Sequence, residues 1–182
     1  MKSPENAIRN TSAKEETRVS IVVPVFNEAT NVKELVSRIH AGLEGVNFDW
    51  ELIIIDDGSD DDTFLTLEDE AERHGAHVHV ISLQRNFGQT AAMQAGIDYS
   101  RGNIIVTLDG DLQNDPADIP RMVEHLINKK LDLLVGWRKD RKDGFWLRKV
   151  PSKMANKLIG WVTKVKLHDY GCSLKVYRAK TI

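Results

Sequence analysis

The segment "IIVTLDGDLQNDP", residues 104–116, sets two carboxylates one residue apart, Asp109 and Asp111, directly behind an apolar run that ends at Leu108. A buried strand ordinarily gives way to turn residues, and Asp-Gly alone would serve for that. Here Asp115 adds a third carboxylate, with Gln113 and Asn114 in between. Side chains alternate along an extended backbone, so Asp109 and Asp111 face the same way if the strand continues for two more residues. Paired hard oxygen ligands suit Mg2+ or Mn2+, ions that usually keep several waters and bind phosphates through one or two carboxylates. A metal held this way neutralises a departing diphosphate. The bland alternative is a solvated Asp-rich turn that caps the next helix.

A second acidic loop, "DDGSDDDT", spans residues 56–63. Asp61 or Asp62 is placed to cap a helix beginning near Thr63. Asp56 and Asp57 sit earlier, where carboxylates can accept hydrogen bonds from a nucleobase N–H or a ribose hydroxyl. Familiar nucleotide and calcium signatures fail. There is no G-x-G-x-x-G after the first apolar run and no G-x-x-x-x-G-K-[ST] anywhere. An EF-hand begun at Asp109 would meet Asn114 where Gly is required and Pro120 where Glu is required.

The elements that must position these loops follow from periodicity. "VSIVVPVF" (19–26) and "ELIIID" (51–56) read as strands covered on both faces. Between them Val32, Leu35, Val36, Ile39 and Leu43 recur at helical spacing, and Asn31 with Glu34 makes a variant capping box. Further helices are predicted over about 63–74, 90–100 and 117–129, and strands at 78–82, 103–108, 131–137 and near 173–177. Repeated βα units argue for an α/β fold, a mostly parallel sheet flanked by helices. In such sheets ligands sit beyond the carboxyl ends of the strands, so "NEAT", "DDGSDDDT" and "DGDLQNDP" should meet on one rim.

With 182 residues, 41% of them hydrophobic, the chain is long enough for one domain with a sizeable core. The polar stretch 1–17 lacks the apolar centre of a signal peptide and is expected to be a disordered leader to a domain over 18–182. No run approaches the roughly 18 apolar residues that span a bilayer. Cys172 is the sole cysteine, excluding an internal disulfide, and its simplest reading is a small buried hydrophobe. Net charge is only −2, yet residues 138–166 carry ten Lys or Arg against two Asp, leaving the remainder strongly acidic. That asymmetry implies a basic face toward something anionic.

Five blocks then carry a specific resemblance: "VSIVVPVFNEATNV", "LIIIDDGSDDDT", "RNFGQTAAMQAGID", "VTLDGDLQNDP" and "DYGCSLKVYR", in that order over residues 19–180. Together they resemble the family 2 glycosyltransferases of GT-A fold, in particular the branch that glycosylates polyprenyl phosphates such as dolichyl and undecaprenyl phosphate. The resemblance implies that Pro24, Asn27 and Glu28 embrace the nucleotide of a UDP- or GDP-linked sugar and that Asp57 approaches its base or ribose. It implies that Asp109 and Asp111 are the D-x-D motif that meets Mg2+ or Mn2+ and the donor diphosphate, with Gln113 nearby in the catalytic group. It assigns Arg138, Arg148 and Ser152 to the acceptor phosphate. Gly110 stands where many relatives have Ala, and Gln89 where Lys is frequent, a difference given no functional consequence.

Arg forms bidentate forks with phosphate oxygens, which agrees with the basic end of the chain. Beyond Pro151, Met154, Leu158, Trp161 and Val165 follow helical spacing, with Lys149, Lys153 and Lys157 in a row. That helix either lies on an anionic membrane surface, with Trp137, Phe145, Trp146 and Trp161 near the headgroups, or packs on a core with its basic face solvated. Asp169, in "HDYG", is assigned to the active-site rim or to a turn. The resemblance further implies an inverting transfer at the cytoplasmic face of a membrane, and a longer parent protein with further catalytic residues and, in many relatives, transmembrane helices. The competing readings are a family 2 enzyme acting on a soluble saccharide, a phosphohydrolase with an Asp nucleophile, and a non-catalytic sugar-nucleotide or membrane-binding module. Nucleic acid is not an expected partner, because no recognised motif accompanies the basic patch.

Overall fold

The computed structural model describes residues 16–137 and 172–182. Its strands are β1 (Arg18–Val25), β2 (Asp49–Asp56), β3 (Val78–Ser82), β4 (Ile104–Thr107), β5 (Leu133–Val135) and β6 (Lys175–Arg178). Its α-helices are α1 (Val32–Gly42), α2 (Thr63–His74), α3 (Gln89–Tyr99) and α4 (Ile119–Asn128). The strands form one sheet in the order β3-β2-β1-β4-β6-β5. β1 pairs in parallel with β2 and β4, and β2 with β3, while β6 runs antiparallel to both of its neighbours. The expected mostly parallel sheet is therefore present, with one antiparallel insertion next to the D-x-D strand.

Central strands are buried on both faces because their side chains alternate between two apolar layers. Val19, Ile21 and Val23 of β1, with Leu52 and Ile54 of β2, pack beneath Leu35, Val36 and Ile39 of α1 and Val123 and Leu126 of α4. Val22, Ile53, Ile55 and Ile105 face the other way, against Ala92 of α3. α3 can lie close on that face because Gly96 has no side chain: a Cβ there would sit 2.4 Å from Ile55 Cδ1 and 2.5 Å from Val22 Cγ1. Cys172 is buried, as expected.

The local expectations need three corrections. The capping box at α1 does not form: the Asn31 amide donates to Glu28 rather than capping the helix. The predicted strand at 131–137 pairs only over Leu133–Val135. The helix expected from 117 begins as a 3-10 turn at Pro116–Asp118, where the Asp115 side chain accepts from Ala117 N. The helix expected beyond Pro151, and residues 1–15 of the expected leader, lie outside the described residues.

Candidate active site

Because β1, β2, β3 and β4 are parallel, the loops that follow them share one rim. Those loops are bound to one another by side-chain to backbone hydrogen bonds. Asn27 adopts a left-handed φ of 55°, and its N–H donates to Ser59 Oγ (2.9 Å) while its Oδ1 accepts from Asp60 N (3.1 Å). Glu28 N donates to Thr63 Oγ1 (2.8 Å), and Asp61 Oδ1 accepts from Thr63 N (3.0 Å), so Asp61 supplies the helix-start contact that Asp62 does not make. Hydrogen bonding by Thr63, acting first through its hydroxyl, holds the Asp61 carboxyl below its usual range.

Asp57 performs a similar tie on the other side. It is 3% exposed, and its two oxygens accept from Phe87 N (2.8 Å) and Gly88 N (2.9 Å). Asp56 is turned inward, with one oxygen accepting from Ser59 N and the other from Ser82 Oγ. Gly58 makes this crossing possible: it has φ +70°, and a Cβ would lie 2.3 Å from the Arg85 carbonyl carbon. Only glycine fits such a close backbone approach at that angle.

These ties frame a cleft of about 400 Å³ lined by Pro24, Phe26, Glu28, Asp57, Asn86, Gly88, Gln89, Asp109 and Asp111, among others. That volume lies within the range of small-molecule sites. The extended geometry expected to aim Asp109 and Asp111 alike is not what unites them. β4 ends at Thr107, and the chain turns through Gly110 and Asp111 to Leu112, whose φ is 60°. In this turn Asp111 Oδ1 accepts from Gln113 N (3.1 Å), and both aspartates border the cleft. The tight turn, rather than strand alternation, brings them together.

Asp109 Oδ1 also accepts from Gln89 Nε2 at 2.6 Å. The second oxygen of each aspartate makes no hydrogen bond within the described residues. Two half-free carboxylates are a hard-oxygen donor set that fits Mg2+ or Mn2+, which need only one or two protein ligands when phosphates and waters complete the shell. No group of three or more His, Cys, Asp or Glu able to hold a metal occurs among the described residues.

Pro24, Glu28, Asp57, Asp109 and Asp111 therefore converge, whereas Asn27 and Gln113 are exposed and do not line the cleft. Arg138, Arg148, Ser152 and Asp169 lie outside the described residues. Sequence reasoning missed Phe26, Asn86, Gly88 and Gln89 as lining residues. The signal was available, since β3 is parallel too and its following loop, 83–88, had to reach the same rim.

A cleft at the carboxyl ends of a mostly parallel sheet, bordered by a D-x-D turn beside an antiparallel strand, is the arrangement of a GT-A glycosyltransferase fold. The chain belongs to glycosyl transferase family 2, whose model matches residues 20–182. Over 164 residues it is 59% identical to dodecaprenyl-phosphate galacturonate synthase of Rhizobium johnstonii, a match covering 90% of this chain and 48% of that protein. Over 164 residues it is 41% identical to undecaprenyl-phosphate 4-deoxy-4-formamido-L-arabinose transferase of Pseudomonas paraeruginosa, again covering 90% of this chain and 48% of the relative. The chain thus spans about half the length of the curated relatives it matches. Its fold is similar to that of glucosyl-3-phosphoglycerate synthase from Mycobacterium tuberculosis, solved with Mn2+, UDP and glucosyl-3-phosphoglycerate. That match has a TM-score of 0.66 at 20% identity, covering 90% of this chain and 57% of that one.

Proposed function

We propose that this domain transfers a sugar from a nucleotide-sugar donor to a polyprenyl phosphate. The observation that carries the reading is the cleft itself, in which the loops after β1, β2 and β3 meet the Asp109–Asp111 turn that follows β4. The two relatives support the acceptor class, since both are polyprenyl-phosphate sugar transferases. In this reading Pro24, Phe26 and Glu28 wall the nucleotide. Asp57 holds the 87–88 backbone in place instead of meeting the base directly. Asp109 and Asp111 would hold Mg2+ or Mn2+, which when bound neutralises the diphosphate of the donor.

The acceptor needs little activation. A phosphomonoester has a second pKa of about 6, so near neutral pH it is largely a dianion and requires no protein base. The enzyme's contribution is then alignment and stabilisation of the leaving nucleoside diphosphate. The step proposed is a single in-line displacement with inversion. The phosphate oxygen forms its bond to the anomeric carbon as the bond to the diphosphate breaks, and the bonding pair leaves with the diphosphate. Arg138, Arg148 and Ser152 are proposed to serve the acceptor phosphate, and Asp169 the rim. Work at the cytoplasmic membrane face is part of the same proposal. No described helix is long and apolar enough to cross a membrane.

The test is thermal shift against UDP and GDP, each with and without Mn2+, on the wild type, Asp109→Ala and Asp111→Ala. Metal-dependent stabilisation by one nucleotide, of about 2.7 kcal/mol at a hundredfold excess over Kd, is expected in the wild type and should vanish in both variants. Stabilisation that survives both substitutions would refute the assignment of the D-x-D turn. In a transfer assay with undecaprenyl phosphate on the full-length protein, Asp111→Ala should abolish turnover while leaving the melting profile intact.

A further inference from the structure

The D-x-D turn leaves β4 after Thr107 and passes through a left-handed φ of 60° at Leu112, a conformation that residues other than glycine rarely hold without support. Among the described residues, no backbone-to-backbone hydrogen bond fixes residues 109–114. Side chains hold the turn instead, and the two fastenings that flank it reach the same residue. Before the turn, the Thr107 hydroxyl donates to the Ser173 carbonyl (2.8 Å). After it, Asn114 Nδ2 donates to Ser173 Oγ (2.8 Å). Ser173 lies 66 and 59 residues away from these two in the chain, so no local pattern announces the brace.

Asn114 is 7% exposed, and its amide therefore requires partners inside the protein. Its Oδ1 faces Cys172 Sγ at 3.5 Å, a weak thiol donor, which leaves the bond to Ser173 as the stronger of the two. The far end of the brace is itself secured. Gly136 N donates to the carbonyl of Leu174 (2.8 Å), and β6 pairs with β4 from Lys175 onward. Both ends of the turn are thus fastened to a point carried by the antiparallel strand. Ser173 also borders a second cavity, of about 350 Å³, which adjoins the cleft at Gln89 and Asp109.

We propose that Ser173 is a positioning residue for the D-x-D turn: by bracing Thr107 and Asn114 together it holds Asp109 and Asp111 in the arrangement that receives a divalent cation. This rests on the transferase reading, in which those carboxylates take Mg2+ or Mn2+, and adds to it a residue that does not line the cleft. Carboxylates that the ion must gather for itself bind it more weakly, because the cost of ordering them is taken from the binding energy, and a braced turn avoids that cost. The bond from Thr107 uses the Ser173 carbonyl and survives a change of side chain. The bond from Asn114 uses Oγ and does not.

Isothermal titration of UDP and GDP at graded Mn2+ tests this on the wild type, Ser173→Ala, Ser173→Thr, Asn114→Ala and the double variant Ser173→Ala, Asn114→Ala. Ser173→Ala should raise the Mn2+ concentration needed for half of the full nucleotide affinity about tenfold, the low end of what lost outer-shell support costs a metal site. At saturating Mn2+ its nucleotide affinity should return to within about twofold of the wild type, because the cleft walls are untouched. Ser173→Thr keeps the hydroxyl and should keep the wild-type Mn2+ requirement. Asn114→Ala should match Ser173→Ala, and the double variant should lose no more than either single one, since the same bond is removed in all three. An unchanged Mn2+ requirement in Ser173→Ala would overturn the proposal and leave the transferase reading standing. So would additive losses in the double variant, or a nucleotide affinity that saturating Mn2+ does not restore, which is the mark of general damage to the fold. A wild type that binds nucleotide with no need of Mn2+ would remove the metal assignment of the turn and this proposal with it. A wild type that binds neither nucleotide would remove the transferase reading itself.

Discussion

At the scale of single residues, the site depends on side chains that hold backbone as much as on those that face the cleft. Asp57 has both oxygens committed to the N–H groups of Phe87 and Gly88. Asp57→Asn would turn an NH2 toward an N–H donor, leaving a buried group unpaired at a cost of about 1–3 kcal/mol. The expected result is a lower denaturation midpoint together with weaker nucleotide binding, and an unchanged midpoint would contradict the tie. Gln89 poses a different question, because its amide fixes the oxygen of Asp109 that would otherwise be free. Gln89→Leu should preserve stability within roughly 0.5 kcal/mol, as an exposed substitution does. Metal-dependent nucleotide affinity should drop severalfold as Asp109 loses its orientation, measured by titration with and without Mn2+.

At the scale of elements, the loops are positioned by close approaches that only particular residues permit. Gly58 combines a positive φ with backbone contact to Arg85, so Gly58→Ala introduces both strain and overlap. Roughly 1–3 kcal/mol of destabilisation is expected from the backbone conformation alone, read from urea unfolding. Gly96→Val should act through packing instead, forcing α3 off Ile55 and Val22. Periodicity exposes the helices and strands but not these approaches, which is why Gly58 is unremarked in the sequence pattern. The helix starts show the same limit. Asn31 and Glu34 have capping-box spacing, yet Asn31 bonds Glu28 because that carboxylate lies within reach once the loop folds.

At the scale of the whole molecule, the end of the sheet opposite the site carries a cluster of histidines. His40 stacks on His74 with ring centroids 3.9 Å apart, and its Nε2 lies 2.9 Å from His77 Nε2. Desolvation lowers the pKa of His40 and His77 below the ordinary 6.5, and the neighbouring imidazoles lower both further, although the Val36 carbonyl and Glu70 pull His40 the other way. The unfolded chain therefore binds more protons than the native state in this window. Stability is complete above about pH 6.5 and declines as pH falls through the lowered native values. Melting temperature between pH 8 and pH 5 should fall on the acid side, and the double variant His40→Gln, His77→Gln should flatten that slope. A slope equal in both proteins would place its origin elsewhere.

What the sequence by itself determined follows from short-range rules. Apolar runs of β-branched residues specified the central strands, helical spacing specified α1, α2 and α4, and alternation of the two specified a parallel sheet whose carboxyl ends hold the polar loops. Asp109 and Asp111 stood out for the same reason, as charges set against a buried strand. The tertiary structure alone decided how those loops divide their labour. Long-range hydrogen bonds tie Asn27 to Ser59 and Asp60 and tie Asp57 to Phe87 and Gly88, while Asp57 still lines the cleft. Lys175 was one lysine among many until the antiparallel pairing of β6 with β4 set it beside Thr107, in a cavity that adjoins the cleft. Such placements depend on which strands become neighbours, and that choice is made by packing the whole sheet rather than by any local stretch of chain.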